Sequence, residues 1–100
     1  MRLKLHAPDQ PQIRRLRAHL KQRLGLVLSP FRGRIPLVTV WLQDLDGPRG
    51  DKRCFLRAKL TRGEDICSEA DASSMLAAID FAIERLGRTV RRTLRLTRPR

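Results

Sequence analysis

One stretch near the C-terminus restricts this chain more than any other. Met75, Ile79, Ala82, Ile83, Leu86, Val90 and Leu94 recur at intervals of three and four residues, the period that lines one side of an α-helix. A stripe of this length needs an apolar surface to lie on. Its burial is worth roughly 10–15 kcal/mol before conformational entropy is set against it. Asp71, Ser73 or Ser74 supplies the helix cap, and the sequence leaves open which. Gly87, inside the helix, costs about 1 kcal/mol relative to Ala.

The surface for that helix comes from strands. Arg2 to His6 alternates with period two, and Leu37 to Leu42 is rich in β-formers. Asp44 to Asp51 is turn chemistry throughout. Lys52 to Leu60 alternates, with Cys54, Leu56, Ala58 and Leu60 facing one way and Arg53, Phe55, Arg57 and Lys59 the other. These two strands and their loop read as a hairpin. Thr61 to Glu64 is a second turn, and Asp65 to Ala70 a third strand of the meander. Between the first strand and the hairpin, Ile13, Leu16, Leu20 and Leu24 fall at helical spacing. Asp9 is placed to cap that helix, with Pro11 in its first turn, Gln12 in a capping box and Gly25 as its stop. Leu26 to Arg34 then reads as a connection. The order β-α-β-β-β-α predicts an α+β sandwich, a four-stranded sheet with both helices on one face. One hundred residues make one domain, taken as 1–96, with 97–100 a frayed basic tail.

Charge is the second constraint. The net charge is +12, and it sits at the two ends of the chain. Residues 1–36 hold nine bases against Asp9, and residues 85–100 hold seven Arg and no acid. The segment between them is slightly acidic. Self-repulsion on this scale opposes compaction and calls for a polyanionic partner. A compositional bias toward Arg explains Arg in place of Lys, but not the clustering. On the first helix Arg14, Arg17 and Lys21 form a row flanked by Arg15 and Arg23. On the last, Arg85, Arg88, Arg92 and Arg95 form a stripe with Arg91 beside it. Cations suit a helix C-terminus, which accounts for one or two of these but not five.

Other chemistries find little footing. His6 and His19 have no evident partner in the sequence. Asp44, Asp46 and Asp51 fail the calcium-loop pattern at Pro48. Cys54 and Cys67 are too few and too far apart for a zinc site, and read as reduced, half-buried thiols, with a disulfide left open. No apolar run approaches the roughly 20 residues of a membrane span. Arg49-Gly50-Asp51 spells an adhesion tripeptide too short to carry weight. The expectation is a cytoplasmic protein that is not an enzyme, with no cofactor, metal, membrane or small-molecule substrate.

Arginine pairs with phosphate in a planar, bidentate way, and several such contacts give affinity without base reading. With Trp41 and three Phe as its only aromatic rings apart from histidine, the chain is poorly equipped for single strands bound by base stacking. Phe31, Trp41, Phe55 and Phe81 are expected in core or sheet packing, with Trp41 and Phe55 as a cross-strand pair on the non-helix face. The partner expected on these grounds is structured RNA, read by shape and charge.

Met75-Leu76-Ala77-Ala78-Ile79-Asp80, followed by Glu84-Arg85-Leu86-Gly87-Arg88, resembles the closing helix of the ribosome hibernation-promoting factors. That family includes the ribosome-associated inhibitor and is also called the sigma-54 modulation proteins. The hairpin from Asp46 to Cys54 is similar to one in a proteobacterial branch of it. The likeness covers nearly the whole chain, and the element order agrees. Ser74 and Leu76 depart from the family's usual Asp and Tyr, and the hairpin loop is shorter. The likeness is to the short form, which lacks a separate C-terminal dimerisation domain. It implies a bacterial stress and stationary-phase factor, monomeric off the ribosome, that binds 16S rRNA of the small subunit over the mRNA and tRNA decoding channel. By position, Arg85 and Arg88 match the family's basic helix residues. The expected rRNA contacts are Arg14, Arg15, Arg17, Lys21, Arg23, Arg85, Arg88, Arg91, Arg92 and Arg95, with Arg53, Arg57 and Lys59 on the open sheet face as a secondary group. The alternatives are a generic structured-RNA or ribosome-assembly protein, and a module whose basic face meets an acidic regulator.

Overall fold

The computed structural model describes residues 1–96; residues 97–100, expected as a basic tail, lie outside the described residues. The elements are β1 (Arg2–His6), α1 (Ile13–Leu28), a 3₁₀ segment (Ser29–Arg34), β2 (Leu37–Asp44), β3 (Lys52–Lys59), β4 (Ile66–Ala72) and α2 (Met75–Leu96). The four strands form one sheet in the order β1-β2-β3-β4. β1 runs parallel to β2, and the other pairs are antiparallel. The β-α-β-β-β-α order and the α+β class are those the sequence predicts.

Register converts alternation into two unlike faces. Leu3, Val38, Ala58 and Ile66 align across the sheet, as do Leu5, Val40, Leu56 and Ser68. These rows, with Leu42, Cys54 and Ala70, meet the helices. Met75, Ile79, Ala82, Ile83, Leu86, Val90 and Leu94 are all buried against them. Ser68, the polar member of its row, donates from Oγ to the Ala82 carbonyl of α2 at 2.8 Å, so its burial leaves no unmet hydroxyl.

Local chemistry decides the boundaries. Ser74 caps α2: its Oγ accepts the Ala77 amide at 3.2 Å. The start of α1 corrects the sequence expectation. Asp9 and Pro11 lie in turns before the helix, Gln12 is the capping residue, and no side chain caps it. Gly25 does not stop α1 either. The apolar stripe continues one turn to Leu28, which is fully buried, and so offsets the weak helix propensity of glycine. Pro30 then falls in the first turn of the 3₁₀ segment. Ile13, expected in the stripe, is 37% exposed. The strands outrun the sequence reading: β2 extends to Asp44, and β4 to Ala72. The hairpin between β2 and β3 closes through Lys52 Nζ to Asp44 Oδ1 at 2.9 Å and the Leu45 amide to the Asp51 carbonyl at 2.8 Å. Gly50, at φ 59°, takes a left-handed conformation in that loop.

The cysteines also differ from expectation. Cys54 is buried in the core and Cys67 is exposed. Burial pushes the Cys54 thiol up to about 12. They sit on neighbouring strands but on opposite faces, since Arg57, not Cys54, is opposite Cys67. That geometry rules out a disulfide within the chain.

α1 and α2 run in the same direction, with His19 beside Asp80 and Val27 beside Gly87. At Gly87 the two helices leave no room for a side chain. A β-carbon there would stand 2.4 Å from Val27 Cγ1. The glycine is therefore a packing requirement rather than a tolerated helix defect. Gly87→Ala is expected to lose up to about 2 kcal/mol, because overpacking at about 1–3 kcal/mol exceeds the roughly 1 kcal/mol propensity gain. Thermal unfolding of the double variant with Val27→Ala checks this. The Gly87→Ala change should then become neutral or favourable, whereas simple additivity would contradict the contact.

Candidate nucleic-acid interface

The helices form one layer of the sandwich, and their outward positions carry the charge. α1 has Arg14, Arg15, Arg17, Lys21 and Arg23 and no acid; α2 has Arg85, Arg88, Arg91, Arg92 and Arg95 against Asp80 and Glu84. Arg14, Arg15, Arg17, Lys21, Arg85, Arg88, Arg92 and Arg95 are exposed, and Arg91 is half-buried toward the α1 side. Among the described residues, none of these pairs with a carboxylate at ion-pair distance. Apart from Arg85, these side chains are available to phosphate oxygens without first breaking an internal bond.

Three of the expected residues are already engaged. Arg23 points its Nε at Asp80 Oδ1, 3.5 Å away, and that nitrogen is buried without a hydrogen bond. Asp80 lies 2.7 Å from His19 Nε2, so His19 has a partner that the sequence did not reveal across 61 residues. Arg85 donates to the Glu69 carbonyl at 2.8 Å, which leans it toward β4. Arg53 is held by Asp71 through a two-point contact at 2.8 and 3.1 Å, with Glu69 at 3.2 Å. That bond holds the Asp71 carboxyl below its ordinary value. Arg57 and Lys59 are on the same open face as Arg53 but are exposed.

The sequence reading missed two cations. Arg2 of β1 and Arg32 of the 3₁₀ segment join Arg17 and Lys21 around a hollow of about 580 Å³ whose lining holds no carboxylate. No motif signals this, since the four residues come from three elements. Phe81 corrects another expectation. It is 50% exposed, one turn before Arg85 and two before Arg88 on the outer side of α2, and not in the core. Phe31 packs against the core edge as expected. Trp41 and Phe55 do pair on the open sheet face, with ring centroids 5.4 Å apart. The structure adds His6 to that pair, stacked on Trp41.

Among the described residues, no group of three or more His, Cys, Asp or Glu could hold a metal, and no helix is long and apolar enough to cross a membrane.

No protein-family model matches the sequence, and no curated protein matches it. Solved structures do match. A ribosomal subunit interface protein from Coxiella burnetii superposes with a TM-score of 0.80 at 17% identity, over 93% of this chain and 97% of that one. This chain has the same fold. The Thermus thermophilus Protein Y N-terminal domain agrees, with a TM-score of 0.79 at 21% identity over 93% of this chain and 99% of its own. The shared fold thus accounts for essentially the whole of either neighbour and nearly all of this chain.

Proposed function

We propose that this protein is a ribosome hibernation factor of the short type, which docks its helix layer on 16S rRNA of the small subunit and covers the mRNA and tRNA decoding channel. One observation carries the reading. A layer of arginines without carboxylate partners, on two parallel helices, stands on the fold of the Coxiella burnetii ribosomal subunit interface protein. The sequence motifs of α2 and the hairpin support the same family.

The mechanism is electrostatic. Arg14, Arg15, Arg17 and Lys21 on α1 and Arg88, Arg91, Arg92 and Arg95 on α2 meet phosphates of folded rRNA, with Arg85 at the β4 edge. Arg23 acts from beneath by fixing α1 to α2 through Asp80. Release of counterions from the rRNA provides affinity that does not depend on base identity. A rigid domain held this way excludes mRNA and tRNA by occupying their path, so no catalytic group is needed. The protein acts as a monomer in the cytoplasm of bacterial cells under stress or in stationary phase. Arg57 and Lys59 are a second contact group on the opposite face.

Competition on purified small subunits tests this. Labelled protein bound to the subunit is expected to be displaced by mRNA together with initiator tRNA, and to block their binding in return. If saturating mRNA and tRNA leave the protein in place, it binds elsewhere, and a general role in structured-RNA binding or ribosome assembly replaces hibernation.

A further inference from the structure

The open face of the sheet presents something the helix layer lacks. Strand register sets His6, Trp41 and Phe55 in one cross-strand row. The His6 and Trp41 rings are nearly parallel, with centroids 5.4 Å apart and 13° between planes. Phe55 tilts against the other side of Trp41 at 60°. Arg57 places its guanidinium carbon 5.4 Å from the centre of the Trp41 ring. Both helices cover the other face of the sheet, so this row is not part of the core. His6 is exposed, and Trp41 and Phe55 are half-buried.

Cations occupy the neighbouring rows. Lys4, Thr39 and Arg57 align in the next row, and Lys59 stands beside Leu37 in the one after it. Rows on one face are two residues apart, about 7 Å, close enough for one nucleotide to meet rings with its base and a cation with its phosphate. On β4, Glu69 continues the aromatic row beside Phe55 and Asp71 lies in the neighbouring row, and Arg53 holds both, while Asp9, Asp44 and Asp46 border the His6–Trp41 end of the row. The surface over β1, β2 and β3 is therefore aromatic and cationic together.

We infer that the open sheet face is a second RNA site, one that stacks unpaired bases of single-stranded RNA on the His6–Trp41–Phe55 row and holds their phosphates with Lys4, Arg57 and Lys59. Rings and cations in adjacent rows fit a single strand better than other polyanions. A duplex hides its base faces, and an acidic peptide has no planar groups to add to the stack. The outer side of His6, on edge strand β1, is where a base continues the parallel pair. Stacking of this kind tolerates any base, because each has a π-face. The low aromatic count weighed against this chemistry in the sequence, but register gathers the few rings into one row and recruits a histidine to it. The inference does not depend on the helix layer's role.

Trp41 is the one tryptophan, and the chain has no tyrosine, so its intrinsic fluorescence reports on this face. Titrating the full-length protein with oligouridine of about ten nucleotides, within the span of known single-strand sites, should quench Trp41. An RNA duplex of equal phosphate count should not. The His6→Ala/Phe55→Leu variant should bind the oligomer roughly ten- to hundred-fold more weakly. The Arg57→Gln/Lys59→Gln variant, which leaves the rings in place, should also bind more weakly and lose part of its salt dependence. The Arg88→Glu/Arg92→Glu variant should quench as the parent does, which separates this site from the helix layer. Three results overturn the inference: oligomer binding seen by anisotropy without any change in Trp41 emission, undiminished affinity in both sheet variants, or equal quenching by polyglutamate.

Discussion

Reversing Arg88 and Arg92 together to glutamate is expected to weaken binding to small ribosomal subunits by about a hundred-fold or more. Both side chains are exposed on the outer side of α2, and neither pairs with an acid among the described residues. A charged hydrogen bond to phosphate is worth about 1.5–3 kcal/mol, and every factor of ten in affinity is about 1.4 kcal/mol. Removing two such bonds costs roughly 3–6 kcal/mol, before repulsion between glutamate and phosphate is added. The logarithmic dependence of affinity on salt should become shallower by about two, one unit for each phosphate that is no longer neutralised. Circular dichroism and thermal unfolding should hardly change, because both side chains are exposed. Co-sedimentation at several salt concentrations measures both effects. Undiminished binding at moderate salt would remove α2 from the interface. Reversing Arg53 is the matched control: its guanidinium is already committed to Asp71 and Glu69, so its replacement should cost little ribosome affinity.

The second large effect is on folding. Leu86→Ala should lower stability by about 2–5 kcal/mol, the usual cost of emptying a fully buried leucine site. Leu86 has no exposed surface and belongs to the α2 stripe that packs on the core. A domain of this size has about 5–15 kcal/mol in total, so the change takes a large fraction. At about 4–8 °C per kcal/mol the melting temperature should fall by roughly 10–40 °C. Denaturant unfolding gives the same quantity from an independent direction. A drop below about 1 kcal/mol would mean that α2 is less firmly seated than its burial indicates. Ribosome binding at low temperature should survive while the fold does, which separates this variant from the arginine reversal.

The repeating apolar positions of α2 made that helix legible, because seven residues on one stripe allow no other arrangement. Alternation in β3 likewise revealed which side chains face the helices. The errors fall where several weak signals compete. Asp9, Pro11 and Gln12 satisfy the capping pattern on paper, yet α1 begins after all three. Gly25 looked like a stop, but Leu28 one turn later had more to gain from burial than glycine had to lose. The helix cations were legible as clusters, because each set lies on one element. Arg2 and Arg32 were not, since only the packing of β1 and the 3₁₀ segment brings them beside Arg17 and Lys21. The partners of His6 and His19 depend on register and on helix pairing, which no local pattern encodes. Phe81 was misplaced because an exposed phenylalanine runs against its ordinary preference.

A cryo-electron microscopy structure of the protein on the small ribosomal subunit addresses the central claim most directly. The helix layer should face 16S rRNA in the decoding channel, with Arg88 and Arg92 within ion-pair distance of backbone phosphates. A complex in which α1 and α2 face solvent, or in which the protein sits away from the mRNA and tRNA path, would contradict the account.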